Sequence, residues 1–253
     1  MNPLSIAFFD SGIGGLTVLG SAARLCPQRN YLYYADTDFV PYGSKPRQLV
    51  RQRVIQAADF LVEKNIEALV VACNTATAVA IEDLRQRYSF PVIGMEPAIK
   101  PAIARNNGGK VLVMATSLTL QESKLSELLS SLDSEQQVER LAMDELVSFA
   151  ESFDFDSAAV KHYIQERLSG LHLAEYESLV LGCTHFIYFK SCIAKLFARP
   201  VNIIDGNEGT VRHLFNSVPP AISGPTGLIS FYSSGKEDDA ERVAQLTPLL
   251  SFR

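Results

Sequence analysis

The sequence predicts an α/β protein made of two pseudo-twofold-related lobes with mostly parallel sheets. Three observations carry that expectation. Short apolar runs alternate with helix-period segments along most of the 253 residues, the pattern of repeated β-α-β units. Runs such as "ALVVA" at 68–72 and "LVLG" at 179–182 lack polar alternation, as strands covered on both faces do. The order of features also repeats. A strand ends in "FFDSGIGG" and Cys73 follows 63 residues after Asp10; a strand in "KVLVMATSLT" ends near Thr116 and Cys183 follows 67 residues later.

Taken in order, strands are expected at 5–9, 31–35, 68–72, 92–94, 111–115, 138–141, 178–182 and 201–204, each a short apolar run bounded by turn or helix signals. Between them, apolar spacing near 3.6 predicts helices such as 48–64 and 157–170. "PPAISGP" at 219–225 reads as an irregular connector. A strand within 227–235 and a helix over 236–250 are expected to pack back on the first lobe. The division that follows is 1–96 plus 208–253 for the first lobe and 97–207 for the second. Ligands of such sheets bind at the carboxyl ends of the strands, where Asp10, Cys73, Thr116 and Cys183 all fall. Two facing lobes then form one cleft with a cysteine on each wall.

Composition excludes several classes. The net charge of −5 argues against a nucleic-acid partner, whose affinity would come from a basic surface. No apolar stretch approaches the roughly 20 residues needed to cross a bilayer. "MNPLSIAFFDSG" lacks a basic segment followed by a long apolar one, so no signal peptide is expected and the location is expected to be cytoplasmic. The four cysteines form no C-x-x-C pair, and Cys183 with His185 alone is poor metal-ligand spacing. No metal site is expected.

The cysteines carry the chemistry. Cys73 in "VACNTATA" and Cys183 in "LGCTHF" each follow an apolar run and precede hydrogen-bonding residues. A helix N-terminus there would favour the thiolate; lowering its pKa by about 1.5 units is worth roughly 2 kcal/mol. Asn74, Thr75 and Thr184 are candidate donors, and His185 is within reach of the second thiol. A cysteine at a strand end is often a small buried hydrophobe, but two in matched settings point to a pair. Cys26 and Cys192 lack that context and read as structural. In "DSGIGG" (10–15) the glycines suit close approach of a ligand, although the spacing matches neither a dinucleotide fingerprint nor a phosphate loop. Asp10 either caps the helix, pairs with an ammonium or assists a thiol. Pro41-Tyr42-Gly43 is either a tight turn or a loop over the ligand. Glu151, in the acid-rich "LVSFAESFDFDS", reads on pattern alone as a solvated helix residue. Two thiols on opposite walls match removal of a proton from one face of a carbon and its return to the other, which inverts a stereocentre.

"FFDSGIGGLTVL", "PYGSK", "VACNTATA" and "LGCTHF" resemble, in order and spacing, the signature segments of the cofactor-independent aspartate/glutamate racemase family, those of bacterial glutamate racemases in particular; the likeness runs from about residue 6 to 205. The resemblance implies a two-thiol mechanism that makes D-glutamate for peptidoglycan, with neither pyridoxal phosphate nor metal. It assigns Cys73 to the D-enantiomer and Cys183 to the L-enantiomer, with Asp10 assisting the first, His185 the second, and Glu151 as a further catalytic residue. Ser11, Asn74, Thr75 and Thr184 would bind the α-amino and α-carboxylate groups; Pro41, Tyr42 and Gly43 the side-chain carboxylate. Thr116 and Thr119 match the family's second-lobe threonines.

Some positions depart from the family pattern. Met143-Asp144 stand for a usual Cys-Pro, Ile187-Tyr188 for a common Pro-Leu, and Asp205-Gly206 for a frequent Asp-Ser. These bear on substrate fit and subunit contacts more than on proton chemistry. The chain opens directly on its first strand, so the extension of members controlled by a cell-wall precursor is not expected. Such enzymes are often homodimers, although no self-complementary stripe marks an interface. Rival readings are an aspartate racemase or related amino-acid racemase, a non-catalytic binding protein for an acidic amino acid, and a single-thiol hydrolase.

Overall fold

The computed structural model describes residues 4–106, 108–132, 134, 136–219 and 227–252. The chain begins with β1 (Ser5–Asp10), α1 (Leu16–Leu25), β2 (Asn30–Ala35), α2 (Arg47–Val62), β3 (Ile66–Val71), α3 (Asn74–Arg87) and β4 (Val92–Gly94). It continues with α4 (Ile99–Ala104), β5 (Lys110–Ala115), α5 (Ser117–Gln121), α6 (Ser123–Ser131), β6 (Val138–Ala142), α7 (Glu145–Glu151) and α8 (Ala158–Leu168). Next come β7 (Tyr176–Leu181), α9 (Lys190–Ala194), β8 (Asn202–Asp205) and α10 (Asn207–Ser217), and the chain closes with β9 (Ile229–Ser233), β10 (Lys236–Glu237) and α11 (Ala240–Leu246).

Ten strands among the described residues form two sheets, ordered β10-β9-β2-β1-β3-β4 and β6-β5-β7-β8. The run β2-β1-β3-β4 repeats as β6-β5-β7-β8, and every pairing is parallel except β9 with β10. Even the irregularities match. The register shifts at the start of β1 against β3, between Ser5 and Ile6, and at the start of β5 against β7, between Lys110 and Val111. The expected α/β architecture with mostly parallel sheets is therefore present, and its internal repeat is visible in strand order.

β1 is buried at all six positions because helices cover both faces of its sheet. Ile6 and Phe8 face Leu16, Leu19 and Tyr31, whereas Ala7 and Phe9 face Val50, Val54 and Leu61. Each fully buried side chain of this kind contributes about 1.5–3 kcal/mol. The cluster around Ile6 and Phe8 continues without a break to Leu112, Met114, Leu179 and Phe189 of the second sheet. One apolar core thus spans both sheets.

The tail differs from the expected helix over 236–250. Lys236 and Glu237 instead pair back on Ser233 and Tyr232 through a two-residue turn in which Ser234 and Gly235 have φ of 46° and 86°. Positive φ at both central residues is what a tight hairpin requires. Helix α11 starts only at Ala240, where the Asp239 carboxylate accepts the Arg242 N–H. A 3-10 stretch, Thr247–Ser251, follows. β9 lies beside β2, with Tyr33 opposite Phe231. Of the connector at 219–225, all but Pro219 lies outside the described residues. No helix among the described residues is long and apolar enough to cross a membrane.

Candidate active site

Parallel pairing brings the carboxyl ends of β1, β2 and β3 to one level, so the loops after Asp10, Ala35 and Val71 converge. Asp10 is fully buried. Its Oδ1 accepts the Gly12 N–H at 2.9 Å, and its Oδ2 accepts the Thr184 hydroxyl of the other sheet at 3.0 Å. Burial raises its carboxyl above the ordinary 3.8, against the opposing pull of His185 and those two hydrogen bonds.

Cys73 caps α3, its Sγ accepting the Ala76 N–H at 3.4 Å and lying 3.8 Å from the Ser11 hydroxyl. The helix terminus expected to favour a thiolate is therefore present. Its effect is overridden: burial pushes the thiol up from the ordinary 9.0, and the neighbouring Asp10 carboxylate pushes the same way. A dry pocket penalises the charged form more than one weak N–H···S contact helps it.

Cys183 sits at the end of β7 in extended conformation and leads into a 3-10 segment, Thr184–Phe189, not into the expected α-helix. The tighter turn puts His185 and Tyr188, three residues apart, on one side, and both reach the loop at 11–15. His185 Nδ1 lies 3.8 Å from Cys183 Sγ and its Nε2 lies 2.6 Å from Glu151 Oε1. Burial by itself would lower the imidazolium's pKa, yet the contacts with Cys183 and Glu151 outweigh it and hold His185 well above 6.5.

Glu151 ends α7 and is not the solvated residue that pattern alone suggested. Its Oε1 also accepts the Ile13 N–H at 2.7 Å. Small residues make this approach feasible. A Cβ on Gly12 would fall 1.8 Å from Glu151 Oε1, and one on Gly14 would fall 2.3 Å from Thr184 Oγ1 and 2.5 Å from His185 Nδ1.

The polar residues expected beside the thiols have other partners. Thr75 Oγ1 meets Thr116 and Thr119 at 2.9 and 3.0 Å, and these two meet each other at 2.9 Å. This ring of three hydroxyls spans α3 and α5. Asn74 donates to the Met95 carbonyl at 3.1 Å and keeps a buried Oδ1 with no partner among the described residues. That oxygen retains its capacity to accept a hydrogen bond. Pro41 follows a cis peptide bond. Tyr42 is buried, and its hydroxyl donates to Asp36 Oδ2 at 2.6 Å. Gly43 packs so closely on Thr116 and Asp144 that a Cβ would fall 2.6 and 2.8 Å from them.

Several contributors carry no signal in the sequence. Asp36 is fully buried and paired with Arg53 through two hydrogen bonds of 2.6 and 3.1 Å, which anchors Tyr42. Asp144 holds the Ser117 N–H at 2.9 Å and its hydroxyl. Tyr33 and Tyr188 donate to the Gly12 and Ile13 carbonyls at 2.6 and 2.8 Å. No motif marks them; only the pairing of β2 with β1 hints that Tyr33 lies beside the glycine loop. Among the described residues, no group of three His, Cys, Asp or Glu side chains is placed to hold a metal ion.

Two α/β lobes that bring together a buried thiol from each, Cys73 beside the Asp10 carboxylate and Cys183 beside the His185 imidazole, form the frame of an isomerase. The model of the Asp/Glu/Hydantoin racemase family matches residues 18–214, and the chain belongs to that family. A glutamate racemase of Halothermothrix orenii is 50% identical over 240 residues, 93% of this chain and 95% of its own. The crystal structure of a glutamate racemase isoform from Bacillus anthracis superposes with a TM-score of 0.85 at 29% identity, covering 98% of this chain and 95% of the other. An Escherichia coli glutamate racemase, solved in complex with L-glutamate and the activator UDP-MurNAc-Ala, gives a TM-score of 0.82 at 29% identity over 99% and 96% of the two chains.

Proposed function

We propose that the protein acts as a glutamate racemase, interconverting L- and D-glutamate by proton transfer at Cα between two thiols and so supplying D-glutamate for peptidoglycan. The observation that carries this reading is the pair of buried thiols, one from each sheet, with unlike assistants around one site.

A Cα–H is a weak acid, so a thiolate must meet it closely and in a water-poor pocket. With L-glutamate, the Cys183 thiolate takes the Cα proton: the C–H bond breaks, an S–H bond forms, and the electron pair spreads into the α-carboxylate. Cys73 then gives its thiol proton to the opposite face and leaves as thiolate. D-glutamate runs the same steps in reverse. The burial that keeps Cys73 protonated at rest suits it to the acid role, and a thiol with a raised pKa is a stronger base once ionised. Asp10 stands beside the Cys73 side, and the His185–Glu151 pair beside Cys183. Ser11, Asn74, Thr75 and Thr184 bind the α-groups; Pro41, Tyr42 and Gly43 take the side-chain carboxylate, with Thr116 and Thr119 closing the site from the second lobe. In this reading the lobes are 1–96 plus 208–253 and 97–207, no cofactor takes part, the location is cytoplasmic and the assembly is a homodimer.

The test is proton NMR with circular dichroism on L- and D-glutamate, separately, in D₂O without cofactor. Deuterium entering Cα while the optical signal decays to zero from both sides is the expected result. Exchange of aspartate in place of glutamate would move the activity to the sister substrate, and silence with both would leave a binding protein.

A further inference from the structure

Glu151 reaches His185 and the glycine loop with the same oxygen, so whatever fixes the loop's peptide plane also fixes the imidazole. The Gly12–Ile13 peptide presents its N–H to Glu151 Oε1 at 2.7 Å and its carbonyl oxygen to the Tyr33 hydroxyl at 2.6 Å. The two groups point in opposite directions within one rigid plane, so Glu151 and Tyr33 hold its two ends. We propose that Tyr33 is a positioning residue for the Cys183 side of the reaction, acting through the Gly12–Ile13 peptide and Glu151 on His185. The inference rests on the racemase reading above and assigns Tyr33 no contact with substrate.

Tyr33 is rooted in the centre of the sheet. It lies in β2, opposite Phe8 of β1, and its ring packs against Phe231. A phenol donating to an amide carbonyl polarises that amide and strengthens its N–H as a donor, by about 10–30% per bond. Burial, with the Asp10 carboxylate nearby, raises the Tyr33 phenol, so it remains a donor. Glu151 Oε1 then receives the Ile13 N–H and His185 Nε2, 2.6 Å away. With Nε2 directed at that carboxylate, the ring turns Nδ1 toward Cys183, at 3.8 Å. The absence of a Cβ at Gly12 lets the carboxylate come this close. On the next peptide plane, the Tyr188 hydroxyl holds the Ile13 carbonyl at 2.8 Å.

Tyr33→Phe keeps the ring and removes the hydroxyl. Because the two enantiomers are equally stable, kcat/KM falls equally in both directions, by about tenfold for a lost positioning bond. The distinguishing readout is the Cα-deuterium isotope effect on kcat/KM. It rises with 2-deuterated L-glutamate, where Cys183 removes the deuteron, and falls toward unity with 2-deuterated D-glutamate, where Cys73 does. Tyr31→Phe is the control; it deletes a buried hydroxyl on the same face of β2 that donates to the Cys26 carbonyl at 2.8 Å, and it leaves both isotope effects at wild-type values. If Tyr33→Phe does not fold, Tyr188→Phe frees the neighbouring plane and shows the same split. Isotope effects unchanged or moved together in the loop-releasing variant, or split in Tyr31→Phe, overturn the inference. Wild-type protein that exchanges neither enantiomer overturns the racemase reading, and the inference with it.

Discussion

Cys73 and Cys183 occupy matched strand ends but meet different electrostatics. One faces a carboxylate and an N–H at 3.4 Å; the other faces an imidazole at 3.8 Å. Under the proposed mechanism, Cys73→Ser and Cys183→Ser each reduce racemisation by at least about 10³-fold, because a hydroxyl is far too weak an acid and base to replace either thiol. Full-rate racemisation by Cys183→Ser, followed by circular dichroism, would end the two-thiol assignment. His185 also makes stability depend on pH. Its folded pKa lies above the ordinary 6.5, so the folded state binds the extra proton. The stabilisation is complete below about pH 6.5 and is lost as pH rises through the higher folded value. Asp10, Glu151 and Cys183 are the ionisable groups facing it, and Glu151→Gln removes the nearest negative partner. The expected result is a fall in wild-type Tm above pH 6.5 that is shallower in Glu151→Gln.

The loop at 11–15 and the 3-10 segment Thr184–Phe189 work as a pair, because the first has no side chains in the way of the second. Gly14→Ala would drive a methyl group to 2.3 Å from Thr184 Oγ1 and 2.5 Å from His185 Nδ1. Activity in a deuterium-exchange assay should fall by about 10²-fold or more, since a displacement near 1 Å costs that much. Gly209 gives the opposite outcome. It lies in α10 with nothing within 4 Å of a new Cβ, so Gly209→Ala should add up to about 1 kcal/mol of stability in urea unfolding. The turn that carries Tyr42 depends on Asp36, and Arg53→Met would leave that buried carboxylate with the Tyr42 hydroxyl but no cation. A loss of about 3–5 kcal/mol is expected, with a raised KM for glutamate.

The closed arrangement joins the sheets through polar contacts as well as through the shared apolar core. Thr184 reaches Asp10, Thr75 reaches Thr116 and Thr119, and Tyr188 reaches Ile13. A ligand held between the lobes adds its own bonds to these and so stabilises the closed form. At a hundredfold excess over Kd this amounts to about 2.7 kcal/mol. The double variant Cys73→Ser/Cys183→Ser, which cannot turn over under the proposed mechanism, should still gain Tm on addition of either enantiomer. No gain with either would mean that glutamate does not bind between the lobes.

Most strand positions, the placement of Cys73 and Cys183 at strand ends and the repeat are legible in the amino-acid sequence, because parallel strands buried on two faces show as unbroken apolar runs and the residues at their carboxyl ends fall at regular intervals. Ser234 and Gly235 read in the chain as the end of a strand within 227–235 and the segment after them as continuous helix; the turn between them shows only in the pairing of β10 on β9. Glu151 can be mapped by resemblance but not by pattern, since in an acid-rich helix end nothing local says which carboxylate turns inward. The roles of Tyr33, Tyr188, Asp36 and Arg53 belong to tertiary structure alone: each bonds a group that no sequence period connects to it, and hydrogen bonding of that kind leaves no periodic trace. The same holds for the state of the thiols. Residue type and a helix start argue for an ionised Cys73, whereas its resting protonation follows from the depth of the pocket and the charge of Asp10, which exist only once the two lobes have closed on each other.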